Sequence, residues 1–199
     1  MSTYPLMESF YSLQGEGIYA GCPAYFIRLA GCDVGCSWCD VKDSWTAENF
    51  PRRSTEELVN LALESGTEIV IITGGEPLIY DLGELTAELQ SVGLKTHLET
   101  SAAHPFSGSW NWTCVSPKRF KEPLAGSLEA ANELKIIVVN KKDLEWAQEL
   151  ALQVKDNCQL LIQPEWSKSE KMLPFMLDFV KENPAWRISL QQHKYINIP

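Results

Sequence analysis

Three thiols, Cys32, Cys36 and Cys39, fall within eight residues in the segment Cys32-Asp-Val-Gly-Cys36-Ser-Trp-Cys39, with Gly31 and Gly35 beside them. Such a loop can curl until all three sulfurs face one centre. Thiolates favour soft metals, and three close ligands without an evident fourth suit a cubane iron-sulfur cluster whose last iron is open to a ligand that is not protein. A structural zinc site is the alternative. It wants four ligands, commonly as two separated pairs, and only Cys22, Cys114, Cys158 or a histidine could complete it. Cys114 and Cys158 sit in predicted strands and read as small buried hydrophobes.

Other residues able to do chemistry are placed with the same regularity. Strands are predicted at 24–29, 68–73, 94–99, 111–115, 134–139, 158–163 and 186–190, with residues 6–12 as an additional candidate. The cysteines follow the first of these strands, TGGEP at 73–77 the second, ETS at 99–101 the third, SPK at 116–118 the fourth, QPE at 163–165 the sixth and QQHKY at 191–195 the last. In a parallel sheet or barrel all those positions converge on one rim, so a single composite site is expected. Helices alternate with the strands. Ser54 and Glu57 form a capping box ahead of Leu58, Leu61 and Ala62, and Asp81 caps a helix carrying Leu82, Leu85 and Leu89. Asp143 opens the run Leu144, Ala147, Leu150 and Val154, and Met172, Phe175, Met176 and Phe179 share one face. The rhythm signals an α/β fold.

At 199 residues and 45% apolar content the chain reads as one domain, residues 1–199. Its formal charge of −9 argues against nucleic acid or an anionic membrane as partner, so any anionic ligand needs local cations. No stretch reaches the roughly 18 apolar residues of a membrane span, and the start, MSTYPLMESFYS, lacks a basic segment followed by an apolar one. A cytoplasmic protein is expected.

The cysteine spacing after the first barrel strand, followed by Gly74-Gly75-Glu76-Pro77 after the next, resembles the radical S-adenosylmethionine (SAM) superfamily. That resemblance implies an incomplete TIM-like barrel of parallel strands with outer helices. It also implies a 4Fe-4S cluster on Cys32, Cys36 and Cys39, with the open iron chelating SAM. In that superfamily an electron from the cluster cleaves the sulfonium to methionine and a 5'-deoxyadenosyl radical. Alone, GGEP would be an ordinary turn. Beside the cysteines it resembles the segment that approaches the SAM amino group, where carbonyls or Glu76 can accept from the ammonium.

The start FYSLQGEG at 10–17, Arg28, and the end QQHKYINIP resemble the 7-carboxy-7-deazaguanine synthase family, over almost the whole length. The resemblance implies ring contraction of 6-carboxy-5,6,7,8-tetrahydropterin with loss of ammonia, on the route to queuosine, with SAM recycled. It carries substrate contacts onto Leu13, Gln14, Gly15, Arg28, Thr73 and the carboxylate of Pro199. SAM contacts fall on Trp38, Gly75, Ser116, Pro117, Lys118, Gln163, Pro164, Glu165 and Trp166. Chemically, Gln14 offers donors and acceptors to a pterin and Glu16 offers acceptors, while Arg28 can fork onto a carboxylate. Judged by position alone, Lys118 reads equally as a solvated charge and Trp166 as core. His193 and Lys194 stay unassigned.

One departure concerns magnesium. The family commonly has threonine two positions beyond the last cysteine as a ligand to Mg2+, and this chain has Val41, which cannot ligate a hard cation. Asp40, Asp43 or Ser44 are the possible substitutes, the alternatives being that the cation is absent or bound only through substrate and water, so magnesium stays open. The family habit also implies a homodimer and an external electron donor such as a flavodoxin or ferredoxin. Two readings compete: a glycyl-radical activating enzyme, which would not need Gln14, Glu16 or an inward terminal carboxylate, and a non-catalytic zinc module.

Overall fold

Val70, Ile71 and Ile72 are all at most 1% exposed, the mark of a strand covered on both faces. A computed structural model describes residues 2–199 and shows why. Its strands are β1 (Thr3–Leu13), β2 (Pro23–Leu29), β3 (Arg52–Ser54), β4 (Ile69–Gly74), β5 (Lys95–Thr100), β6 (Trp112–Val115), β7 (Glu133–Val138), β8 (Gln159–Pro164) and β9 (Trp186–Ile188). The helices are α1 (Thr55–Glu64), α2 (Gly83–Ser91), α3 (Lys142–Ala151), α4 (Ser169–Glu182) and the short α5 (Gln192–Ile196). One sheet runs in the order β3-β1-β2-β4-β5-β6-β7-β8-β9. From β2 through β4 to β9 every neighbour is parallel, and the sheet does not close on itself. It is the incomplete parallel barrel the sequence implies.

The non-parallel edge was only half anticipated. β1 starts at Thr3, well before residue 6, and runs antiparallel to β2, with a bulge where the register shifts between Leu6 and Glu8. β3 was not anticipated. Its three polar residues, Arg52 to Ser54, show no alternation, and pairing with Thr3–Pro5 alone makes them a strand.

The outer layer is thinner than a regular strand-helix alternation requires. No α-helix joins β5 to β6, and β6 reaches β7 through a 3-10 turn at Ser127–Ala130. The apolar packing under the helices therefore divides into two cores, and a smaller third cluster of Ala24, Phe26 and Ile71 stands apart from both. One gathers Leu58, Ala62, Leu85 and Leu89 from α1 and α2 against β2, β4 and β5. The other gathers Ala147, Leu150, Met172 and Met176 from α3 and α4 against β7 and β8. Phe106, in the helix-free connection, packs against both and bridges the gap.

Helix starts follow local chemistry with two corrections. The capping box holds: Ser54 Oγ accepts from Glu57 N at 3.2 Å and the Glu57 carboxylate accepts from Ser54 N at 2.7 Å. Asp81, expected as a cap, lies one residue earlier, where Oδ1 accepts from Gly83 N at 2.9 Å while Leu82 occupies the cap position. Asp143 is inside the first turn of α3 and reaches back to the N–H groups of Val139 and Asn140 at 2.8 and 2.9 Å. On α4 Met172 and Met176 are buried, but Phe175 faces outward under the Lys141 ammonium, 3.6 Å from its ring centroid. None of the helices is long and apolar enough to cross a membrane among the described residues.

The concave face of the barrel is polar. Glu8 stands opposite Arg28, Arg28 opposite Thr73, Glu99 opposite Cys114, Cys114 opposite Glu133 and Glu133 opposite Gln159. Laterally paired residues share a face, so a band of charge and hydrogen-bonding groups lines the interior next to a small apolar cluster of Ala24, Phe26 and Ile71.

Candidate active site

Each loop predicted to meet at the rim does so. One cavity of about 240 Å³ is lined by Cys32, Cys36, Cys39, Trp38, Gly75, Ser116, Lys118, Gln163, Pro164, Glu165 and Trp166, among others. A second, of about 310 Å³, is lined by Leu13, Gln14, Gly15, His193 and Pro199 with their neighbours. Both share Glu16, Arg28, Thr73, Glu99 and Lys194, so they are two halves of one site. Of the predicted contact residues only Pro117, which is buried, lines neither half.

The cysteine loop is folded back on itself. Cys39 N–H donates to the Cys36 carbonyl at 3.1 Å, Val41 N–H points at Cys39 Sγ at 3.4 Å, and Glu76 N–H holds the Gly31 carbonyl at 2.9 Å. A Cβ on Gly75 would stand 2.4 Å from Gly31 O and 2.6 Å from Cys32 Cβ, so only glycine lets the β4 turn lie against this loop. Burial pushes the Cys36 thiol up to about 11, with the Lys118 charge working against it, and burial likewise raises Cys32. A metal therefore has to displace protons to bind here. No three His, Cys, Asp or Glu side chains converge on a single ion among the described residues. A cubane binds each thiolate at a separate iron and leaves the fourth iron open. Three thiols on one cavity wall, free of disulfides and with an N–H donor to Cys39, fit that demand.

Glu76 does not remain free to meet an ammonium. Its carboxylate is 1% exposed and accepts from Leu78 N at 3.1 Å, Ser101 N at 2.8 Å and the hydroxyls of Thr100 and Ser101. Every lone-pair direction is used, and Glu76 ties the β4 turn to the end of β5. Lys118 is the contrary case. Its Nζ donates to the Ser116 carbonyl and, at 2.7 Å, to Ser116 Oγ, 5.9 Å from the Trp38 ring centroid, and no carboxylate pairs with it among the described residues. Burial pushes its pKa down. Glu165 accepts from Ser167 N at 3.1 Å and from Ser167 Oγ at 2.6 Å, capping the turn at Trp166. Trp166 is not core. At 42% exposed it stands on the rim, edge-on to Tyr195 at 5.2 Å.

The QGEG loop is likewise not a surface turn. Gln14 is 9% exposed, Gly17 N–H donates to Ser189 Oγ at 2.9 Å and Ile18 N–H to Glu133 at 3.1 Å. The C-terminal segment docks on it: Gln192 N–H donates to the Gly15 carbonyl at 2.8 Å, and a Cβ on Gly15 would lie 2.1 Å from His193 Nδ1. Ser12 Oγ reaches Pro199 O at 3.3 Å. Arg28 spends its Nε on Glu8 at 2.6 Å and lines both cavities.

Sequence reasoning missed Lys135 and gave no role to Glu99, Gln191 or Lys194. Lys135 is 3% exposed and pairs with Glu16 at 2.7 Å and Glu99 at 3.0 Å. Burial alone would raise the Glu16 pKa, but Lys135 overrides it and holds the carboxyl at about 2. The available signal was a lysine inside the strand LKIIVV, where both faces are buried. The oxygens do not fit a magnesium ion held by protein. Val41 faces the shared wall, Asp40 is paired with Lys194 at 2.8 Å, Ser44 Oγ is committed to the Val41 carbonyl at 2.6 Å, and Asp43 is exposed outside both cavities.

An incomplete parallel barrel with three thiols after its first parallel strand and a glycine turn after the next defines the radical SAM class, and the profile of the radical SAM superfamily matches residues 26–122. A 7-carboxy-7-deazaguanine synthase of Flavobacterium psychrophilum is 52% identical over 195 residues, covering 98% of this chain and 92% of that one. The synthase of the same name from a Synechocystis species is 44% identical, covering 98% and 94%. The crystal structure of QueE from Escherichia coli superposes with a TM-score of 0.87 at 35% identity, over 96% of this chain and 95% of that one. The chain belongs to the 7-carboxy-7-deazaguanine synthase family.

Proposed function

We propose that this chain is a radical SAM enzyme that contracts the ring of 6-carboxy-5,6,7,8-tetrahydropterin to 7-carboxy-7-deazaguanine with loss of ammonia. The observation that carries the reading is the joined cavity, in which a thiol-lined half and an amide-, carboxylate- and guanidinium-lined half share one wall. When bound, the cluster and SAM supply hydrogen-atom abstraction by a carbon-centred radical.

The protein's part is binding, orientation and shielding. Cys32, Cys36 and Cys39 hold the cluster. Lys118, a cation without a carboxylate, meets the carboxylate of the SAM amino acid. Trp38, Gly75, Ser116, Pro117 and the segment Gln163 to Trp166 enclose the rest of SAM, Pro117 as the buried chain neighbour of Ser116. Leu13, Gln14, Gly15, Glu16, Thr73 and Pro199 contact the pterin, and the Nη groups of Arg28 fork onto its carboxylate. Trp166, on the cavity rim and edge-on to Tyr195, helps to shield the radical from water. By the same kinship the protein works in the cytoplasm as a homodimer, takes electrons from a flavodoxin or ferredoxin, and supplies the queuosine route.

The test is anaerobic reconstitution with iron and sulfide, then incubation with SAM, reductant and the carboxypterin, following the deazaguanine by mass. Product is expected from the parent chain and none from Cys32→Ala, Cys36→Ala or Cys39→Ala. SAM cleavage without deazaguanine would overturn the substrate assignment, and product from the cysteine variants would overturn the ligands.

A further inference from the structure

The most heavily charged part of the barrel interior joins three elements: Glu16 after β1, Glu99 on β5 and Lys135 on β7. Lys135 Nζ stands 2.7 Å from Glu16 Oε2 and 3.0 Å from Glu99 Oε2, with its side chain 4% exposed. The other oxygen of each carboxylate receives a neutral amide, Gln191 Nε2 on Glu16 Oε1 at 2.9 Å and Gln14 Nε2 on Glu99 Oε1 at 3.2 Å. All four oxygens are thereby oriented, and both carboxylates line both halves of the cavity.

Resting on the function proposed above, we propose that Lys135 is a positioning residue that keeps Glu16 ionised and holds both Glu16 and Glu99 turned toward the pterin. Two carboxylates sharing a poorly solvated wall cannot both stay charged unaided, and one would take up a proton. A protonated carboxyl is a donor, and it would face the N–H groups of the pterin with the wrong polarity. The ammonium removes that conflict without occupying the cavity's open space. The charged and titratable groups around this trio also include Cys114 from β6, Glu133 two residues earlier on β7, Lys118 beyond β6, Asp40 after the cysteine loop, and His193 and Lys194 of the C-terminal segment. Glu133 is held by Ile18 N and Trp112 Nε1 at 3.1 and 3.3 Å, and burial raises its pKa toward the neutral form, so the charge that Lys135 offsets is chiefly that of Glu16 and Glu99.

The test compares Lys135→Met and Lys135→Arg with the parent holoenzyme, each reconstituted to the same iron content, in carboxypterin turnover from pH 8 to pH 5.5. Lys135→Met is expected to raise KM for the pterin by about 30-fold or more, the scale of losing one partner of a buried charge pair, with a smaller change in kcat. It should also lose kcat/KM as pH falls, because a released carboxylate titrates at higher pH. Lys135→Arg should restore a flat profile. A Lys135→Met enzyme with the parent's KM, or one with raised KM but the parent's pH profile and no rescue by arginine, would overturn the inference. If Lys135→Met does not assemble, Glu99→Gln serves: KM should rise while the profile stays flat, since Glu16 keeps its cation, and an unchanged KM overturns the idea. A parent enzyme that makes no deazaguanine sinks the substrate reading and this inference together, whereas an active parent with unmoved variants sinks only the latter.

Discussion

Lys118 and Glu76 show how two charged residues on one rim come to opposite uses. Glu76 is consumed by four internal donors and serves the fold, whereas Lys118 has only neutral oxygens of Ser116 to meet. Lys118→Met is therefore expected to weaken SAM binding by about 30-fold or more, read by equilibrium binding to the reconstituted protein, with little change in thermal stability. Val41 leads to a second expectation. With Asp40 paired to Lys194, Ser44 committed to the Val41 carbonyl and Asp43 outside both cavities, none of the three candidates is placed to hold a hard cation. Turnover after exhaustive chelation should match turnover with added Mg2+, and a metal-dependent rate would mean that substrate and water bind the ion without the protein.

At the scale of elements, the turn after β4 and the start of α1 separate site-building from scaffold. Gly75 lies where a Cβ would collide with the Gly31 carbonyl and Cys32. Backbone cannot yield cheaply, so Gly75→Ala should displace the cysteine loop and lower iron loading after reconstitution, measured as iron per chain. The capping box at Ser54 is remote from both cavities. Ser54→Ala should cost about 1 kcal/mol of stability, seen as a lower midpoint in thermal unfolding, without a change in KM. Both elements were legible in the sequence because their signals are local: a glycine pair after a β-branched run, and S-x-x-E before an apolar face. β3 was not, since three polar residues carry no pattern of their own and become a strand only through β1.

Across the whole molecule, the buried charge network links stability to pH. Glu16 is held at about 2 against an ordinary value of 4.5. A carboxyl depressed on folding contributes fully above its unfolded pKa and loses that contribution as pH falls through its folded one. Stability should thus decline between about pH 4.5 and 2, and the decline should be shallower in Glu16→Gln, as checked by denaturant unfolding of the parent and variant at several pH values. Apart from that network, Arg28 and Lys118 place cations on the cavity wall of a chain whose net charge is −9, which is what anionic groups of a pterin and of SAM would need.

What the sequence determined by itself was the chemistry and its address. Cysteine spacing, the glycine turn and the habit of placing unusual residues after strands were enough to bring three thiols to one rim of an α/β barrel, because each is a short-range pattern. Only the tertiary structure decided which charges meet. Glu16, Glu99 and Lys135 are separated by 83 and 36 residues, and whether a lysine in a strand faces core, solvent or a carboxylate depends on register and closure. The same holds for Trp166, which became a rim residue, and for the C-terminal segment, which docks on Gly15. Pairing across such distances follows from the packing of the sheet as a whole, which no local window encodes.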